Sequence, residues 1–106
     1  MVSGSNEGRY GNVNQLLQED VDLIKMRQRL LGAATKDENG MYVLPPLFKE
    51  SYSKYLRRSN RHIELLATAI NRQEEGPMKK HLWEVSRWWK GNEGQELRGE
   101  RVIFTE

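Results

Sequence analysis

Apolar side chains recur at three- and four-residue steps in three stretches of the chain, which is the period of an amphipathic α-helix. These stretches cover about residues 12–31, 46–73 and 77–90. Gly32 and Gly91 follow two of them as natural helix stops, and a Gly-Pro pair separates the second from the third. The pattern therefore predicts an all-α fold, a small domain of three helices.

The central predicted helix has two contrasting faces. Its apolar face, which also contains Ser59 and His62, is made of Phe48, Tyr52, Tyr55, Leu56, Ile63, Leu66 and Ile70. The opposite face carries the basic residues Lys54, Arg57, Arg58 and Arg61. Because only Glu50 and Glu64 dilute these charges, we expect either a solvated face or a surface that binds phosphate groups.

The first predicted helix carries pairs of apolar residues at the seven-residue spacing of a coiled coil, Leu16-Leu17, Leu23-Ile24 and Leu30-Leu31. Asp20 and Arg27 lie inside this band, symmetrically about Leu23. Burying either charge alone would cost several kcal/mol, so each requires a partner of opposite sign. In an antiparallel homodimer, Asp20 of one chain would face Arg27 of the other. In the alternative, the two charges divide the band and reach solvent at its edges.

The third predicted helix is rich in tryptophan. Its expected buried stripe is Met78, Leu82, Val85 and Trp89, with His81 and Trp88 beside it. Trp83 lies on the other side, among the basic residues Lys79, Arg87 and Lys90. An exposed tryptophan serves as a protein-interface anchor or as a stacking platform for bases. The alternative is that Trp83 covers the edge of the core.

Two sets of candidate contact residues follow from these patterns. The predicted protein interface consists of Leu16, Leu17, Asp20, Leu23, Ile24, Arg27, Leu30, Leu31, Trp83 and Trp88. The predicted nucleic-acid-binding residues are Lys54, Arg57, Arg58, Arg61, Lys79, Lys80, Trp83, Arg87 and Lys90.

The remaining segments are polar. Residues 1–11, rich in Gly, Ser and Asn, are predicted to form a flexible arm before a helical domain of residues 12–91. The connection 33–44 contains an Asn-Gly turn and then a short apolar piece that suits an extended conformation. The tail 92–106 ends in a β-prone segment, which either adds to the sheet of another chain or folds back on its own helices.

Charge is distributed unevenly along the 106 residues, although the net charge is only +2. Residues 41–90 hold ten basic and five acidic side chains, whereas residues 91–106 hold two basic and four acidic ones. A basic middle favours nucleic acid as a partner, and an acidic tail would shield it when nothing is bound.

Motifs for catalysis are not recognisable in the sequence. There is no cysteine, and neither His62 nor His81 has the spacing of a zinc site. No glycine-rich phosphate loop and no nucleophile with an adjacent base are present. We therefore expect a protein without enzymatic activity, metal, cofactor or small-molecule substrate. No membrane-spanning run and no secretory signal are visible, which predicts an intracellular location.

Two functions are consistent with these features. The first is a structural or adaptor subunit that assembles with itself or with partner proteins in a larger complex, with nucleic acid as an additional contact. The alternative is a nucleic-acid-binding protein that uses the basic face of the central helix together with the tryptophan- and lysine-rich third helix.

Overall fold

The computed structural model describes residues 13–98 and 101–105, so the predicted N-terminal arm lies outside the described residues. The helices are α1 (Val13–Ala33), α2 (Lys49–Arg72) and α3 (Pro77–Lys90), with a 3-10 turn at Pro46–Phe48 before α2. The strands are β1 (Thr35–Lys36), β2 (Tyr42–Leu44) and β3 (Val102–Phe104). The fold is mostly helical, as predicted, and both α1 and α3 pack on α2. None of the described helices is long and apolar enough to cross a membrane.

Buried positions on α2 alternate three and four residues apart, as in a coiled coil: Tyr52, Tyr55, Ser59, His62, Leu66 and Ala69. The same alternation on α1 passes through Leu16, Asp20, Leu23, Arg27 and Leu30, of which the three leucines are buried. Asp20 and Arg27 therefore stand where side chains of neighbouring elements meet, and both need partners within the fold.

The apolar band of α1 forms part of the chain's own core. Leu16, Leu23 and Leu30 are at most 4% exposed. The other apolar members of the band, Leu17, Ile24 and Leu31, are half-buried against the same core. Three of the leucines that the sequence offered as an interface, Leu16, Leu23 and Leu30, are thus covered within the fold, because a small domain must use its most apolar stripe to fold at all.

Asp20 joins the three helices. Its Oδ1 atom accepts a hydrogen bond from Trp89 Nε1 on α3 at 2.6 Å and lies 3.2 Å from His62 Nε2 on α2. Trp89 is completely buried and His62 is 1% exposed. An ionised carboxylate only accepts hydrogen bonds, so with Asp20 ionised this contact requires the proton of His62 on Nε2.

Arg27 also finds its partner in its own chain. Its Nη2 atom lies 2.6 Å from Glu96 Oε1, and its guanidinium lies 5.3 Å from the centre of the Trp88 ring. The predicted pairing of Asp20 with Arg27 of a second chain is therefore corrected. Each charge is compensated within the chain by residues from α2, α3 or the segment after α3.

A small sheet closes one end of the helices. Asp37 Oδ1 accepts the backbone N–H groups of Asn39 and Met41, both at 2.9 Å, and Gly40 has a φ of 81° that suits glycine. This turn makes β1 antiparallel to β2. The C-terminal strand β3 pairs in parallel with β2, with Tyr42 opposite Val102. The mate of the C-terminal segment thus lies in its own chain.

The turn after α3 packs closely on the helix that precedes it. A Cβ atom at Gly94 would lie 2.2 Å from the carbonyl oxygen of Trp88, so only glycine fits. Leu97 is fully buried, and its carbonyl oxygen accepts a hydrogen bond from the Tyr52 hydroxyl at 2.7 Å. These contacts hold residues 91–98 beside α2 and α3.

Two local predictions need correction. The helix α1 continues through Gly32 to Ala33, because Gly32 does not adopt the positive φ with which a glycine ends a helix. Met78 is 39% exposed, and Ser86 takes the buried place on α3 that the sequence pattern gave to Val85. The face of α3 is therefore rotated slightly, so that Leu82, Ser86 and Trp89 point to the core.

Candidate functional site

The predicted cations of α2 differ in their surroundings. Arg58 binds both carboxylate oxygens of Glu19 on α1, through Nη2 at 2.5 Å and Nε at 2.9 Å. The hydrogen bond to Glu19 raises the pKa of Arg58 above its ordinary value. Lys54, Arg57 and Arg61 are exposed, and no carboxylate of the described residues forms an ion pair with them. Arg58 is therefore neutralised, whereas the other three keep their charge for solvent or a ligand.

Lys54 and Arg58 face α1. Together with Arg29 of α1, they line a cleft of about 360 Å³ at the start of α2. Arg57 and Arg61 are exposed and do not line this cleft. The four predicted cations of α2 stand at the i, i+3, i+4 and i+7 positions of one helix and therefore share one side of it.

The predicted cations of α3 surround Trp83. Trp83 is 49% exposed, and the guanidinium of Arg87 lies 4.9 Å from the centre of its ring. Lys90 is exposed on the same side of the helix. Lys79, by contrast, is paired with Glu75 at 3.3 Å, and Lys80 is exposed. Among the predicted interface tryptophans, Trp88 is half-buried and Trp83 is the more exposed of the two.

Three clefts run from Trp83 to the small sheet, and neighbouring clefts share lining residues. The tryptophan cleft, about 180 Å³, lies between α2 and α3 and is lined by Ala67, Ile70, Asn71, Trp83, Ser86, Arg87 and Lys90. The middle cleft, about 460 Å³, is lined by Leu56, Asn60, Ile63, Lys90, Gln95 and Arg98. The arginine cleft, also about 460 Å³, is lined by Lys36, Tyr42, Asn92, Gln95, Glu96, Arg98 and Arg101.

The shared residues make these linked clefts one continuous surface. Lys90 belongs to both the tryptophan and the middle cleft, and Gln95 and Arg98 belong to both the middle and the arginine cleft. Five basic side chains line this surface: Lys36, Arg87, Lys90, Arg98 and Arg101. Its floor in the first two clefts is partly apolar, with Leu56, Ile63 and Ile70.

Glu96 is the acidic residue among those that line the linked clefts, and both of its carboxylate oxygens have partners within the fold. One carboxylate oxygen binds Arg27 at 2.6 Å, and the other accepts the hydroxyl of Tyr42. Burial, and then the hydrogen bond to Glu96, raise the pKa of Tyr42 to about 12, so this hydroxyl remains a donor at neutral pH. The positive charges along the clefts are therefore not cancelled by Glu96.

Arg98 is held in a fixed position between two clefts. Its Nη1 atom donates to the carbonyl oxygen of Trp89 at 3.2 Å, and its Nη2 atom donates to Asn60 Oδ1 at 2.6 Å. Both partners are neutral groups. Within residues 13–98 and 101–105, no carboxylate is paired with Arg98, so its charge contributes to the field of the clefts.

Sequence reasoning missed Lys36, Arg98 and Arg101. Arg98 and Arg101 lie in a tail that is acidic overall, and Lys36 lies in a predicted turn. No local pattern joins them to Lys90, because the turn at Gly94 and the parallel pairing of β2 with β3 bring them there.

The buried contact between His62 and Asp20 has the residue types of a catalytic pair but no access to solvent on the histidine. His62 is enclosed by the core and its ring packs edge-on against Trp89 at 5.8 Å. His81 is exposed on α3. In the part of the chain that the structure describes, no three metal-ligating side chains lie close enough to hold an ion.

Comparison of the chain with protein-family models, with curated proteins and with solved structures finds no match.

Proposed function

We propose that this protein is a non-enzymatic helical subunit that binds single-stranded nucleic acid along the linked clefts. The observation that carries the proposal is the continuity of the three clefts, which have an exposed tryptophan at one end and five cations along their length. Proteins that bind single strands combine a positively charged groove for the backbone with aromatic side chains for the bases.

A single strand suits this surface better than a duplex. Trp83 is 49% exposed, so unpaired bases can stack on the part of its ring that Arg87 does not cover, whereas the bases of a duplex stack on one another. Arg87 lies over the Trp83 ring and Lys90 follows one turn later, so a base on the ring would place its phosphate near cations. Arg57 and Arg61, which are exposed on the same helix as Asn60 of the middle cleft, add to the positive field.

The salt dependence of binding tests the electrostatic part of the proposal. If all five cleft cations contact phosphates, the logarithm of the binding constant should fall with the logarithm of salt concentration with a slope of about −3.5. Affinity would then fall about 100-fold between about 50 and 200 mM salt. The measurement is fluorescence anisotropy of a labelled thymidine oligonucleotide of about 12 nucleotides.

A matched pair of lysine variants locates the surface. Lys90→Gln removes a charge shared by two clefts, and it should reduce the slope by about 0.7 and the affinity about fivefold at 0.1 M salt. Lys25→Gln makes the same change at an exposed position of α1 and should leave both nearly unchanged. Equal effects of the two variants, or a slope near zero for the unaltered protein, would refute the proposal.

Trp83 tests the stacking part. Trp83→Ala should weaken binding of the oligonucleotide about 5- to 150-fold, which corresponds to the ~1–3 kcal/mol of one base stacked on an aromatic ring. Trp83→Phe keeps a ring and should retain most of the affinity. Loss of tryptophan fluorescence on binding should occur in the unaltered protein and disappear in the Phe variant. An Ala variant that binds as tightly as the unaltered protein would exclude Trp83 as the platform.

Assembly with a partner protein is the second candidate function. It is favoured by the sheet order β1-β2-β3, which leaves β3 as an edge strand of the described sheet, and by Leu47 and Ile103, which are 86% and 42% exposed. An exposed edge strand accepts a further strand from another chain. Light scattering at two protein concentrations tests self-assembly, and a constant monomer mass would exclude a stable oligomer.

A further inference from the structure

The arginine cleft, at the far end of the linked clefts from Trp83, gathers cations from three separate segments. Lys36 comes from β1, Arg98 from the turn after α3, and Arg101 from the residue before β3. Arg101 is anchored through its backbone, because its carbonyl oxygen accepts the N–H of Tyr42 at 2.7 Å. The cleft therefore depends on the tertiary fold and not on one run of basic residues.

The charge inside the arginine cleft is unbalanced. Glu96 is already bound by Arg27 and by the Tyr42 hydroxyl, so both of its oxygens are occupied. Lys36 Nζ lies 5.0 Å from the centre of the Tyr42 ring, which is a contact with a neutral group. Among the described residues, none of the three cations of the cleft forms an ion pair with a carboxylate. The described cations of the cleft thus carry an excess of positive charge, which favours binding of an anion.

Size and shape indicate which anion. A cleft of about 460 Å³ lies within the roughly 300–1,000 Å³ of small-molecule sites, and its remaining lining includes the amides of Asn92 and Gln95. A carboxylate offers two oxygens in one plane. A phosphate monoester carries a charge of about −1.5 to −2 and three terminal oxygens, which suits a cleft lined by three cations.

We propose that the arginine cleft is a binding site for a phosphate monoester. The same chemistry has two sources, a small phosphorylated molecule such as inorganic phosphate or a nucleotide, and the terminal phosphate of a strand in the linked clefts. The second source rests on the proposed function, and the cleft's position at one end of the surface is what a strand terminus requires.

The experiment compares thymidine oligonucleotides of about 12 nucleotides that carry a 5′-phosphate, a 3′-phosphate or no terminal phosphate. One of the two phosphorylated forms should bind about fivefold or more tightly than the unphosphorylated form at 0.1 M salt, as expected for at least one added ionic contact. Arg101→Gln should reduce this ratio to about one, and Lys36→Gln should reduce it as well. Lys90→Gln should weaken all three oligonucleotides equally and leave the ratio unchanged.

Titration with inorganic phosphate tests the other source, a small phosphorylated molecule. Amide resonances of Lys36, Arg98 and Arg101 should shift during titration with phosphate, and Arg101→Gln should abolish the shifts while Arg101→Lys retains them. Circular dichroism of each variant verifies that the fold is intact. If the oligonucleotides bind but the ratio is one, and phosphate half-saturates only above about 10 mM, the phosphate site is refuted while the proposed function stands. If phosphate binds and no oligonucleotide does, the site stands and the proposed function fails.

Discussion

The carboxylate of Asp20 serves donors from two other helices, so its removal should destabilise the whole fold. Asp20→Ala deprives Trp89 Nε1 and His62 Nε2 of the acceptor that lies 2.6 and 3.2 Å from them. Both donor side chains are buried, and Asp20 is the partner that the described residues offer to Trp89 Nε1 and His62 Nε2. A buried donor without a partner costs about 1–3 kcal/mol. We therefore expect the free energy of unfolding to fall by about 2–5 kcal/mol.

Urea denaturation followed by circular dichroism and by tryptophan fluorescence measures this loss. A decrease of about 2–5 kcal/mol is a large part of the roughly 5–15 kcal/mol that stabilises a typical domain. Asp20→Asn keeps one acceptor oxygen and removes the charge, so its effect should be intermediate. The slope of free energy against urea concentration should stay the same if the variants unfold from the same compact state.

Asp22→Ala is the matched control on the same helix. Asp22 accepts a hydrogen bond from the exposed Gln18 at 3.2 Å, and its loss should change stability by less than about 0.5 kcal/mol. If Asp20→Ala and Asp22→Ala cost the same, then Asp20 does not hold the helices together, and the buried donors do not depend on its carboxylate.

Two further predictions concern packing and pH. Gly94→Ala should lower the free energy of unfolding by about 1–3 kcal/mol or more, because its Cβ would lie 2.2 Å from the Trp88 carbonyl oxygen. At Gly32 an added Cβ has no atom within 4 Å, so Gly32→Ala should stabilise α1 by about 0.5–1 kcal/mol. Thermal unfolding of both variants checks this contrast, which a destabilising Gly32→Ala would contradict. Tyr55→Phe should raise stability at pH 7 by about 1 kcal/mol, since no described group bonds the buried Tyr55 hydroxyl. Burial raises the pKa of Tyr55 to about 12, so the unfolded chain, with a tyrosine pKa of 10.0, loses this proton first as pH rises. Because of Tyr55, the free energy of unfolding therefore falls by up to about 1.4 kcal/mol for each unit of pH increase between about pH 10 and 12. Urea denaturation across that range should show a shallower fall for Tyr55→Phe, and parallel curves would refute the assignment.

The three helices could be predicted because their signals are local. The repeat of apolar residues on the central helix, the Gly-Pro pair before the third helix and the Asn-Gly turn each act over a few residues, and tertiary contacts did not override them. The unusual position of Asp20 and Arg27 inside an apolar band was also visible in the sequence, and in the structure both residues lie between buried leucines of α1. Periodicity identifies a position that needs a partner, but it does not contain the partner's identity.

The partners themselves depend on contacts between residues far apart in the chain. Asp20 meets Trp89, Arg27 meets Glu96, and Arg58 meets Glu19 only once the helices are packed. The same applies to the linked clefts, whose cations lie on β1, on α3 and in the segment between α3 and β3. Amino-acid sequence alone determined the helices and the excess of positive charge in the middle of the chain. The tertiary structure decided which leucines are covered, which arginines are neutralised and which cations share a surface, because those outcomes depend on distances that the linear order of residues does not specify.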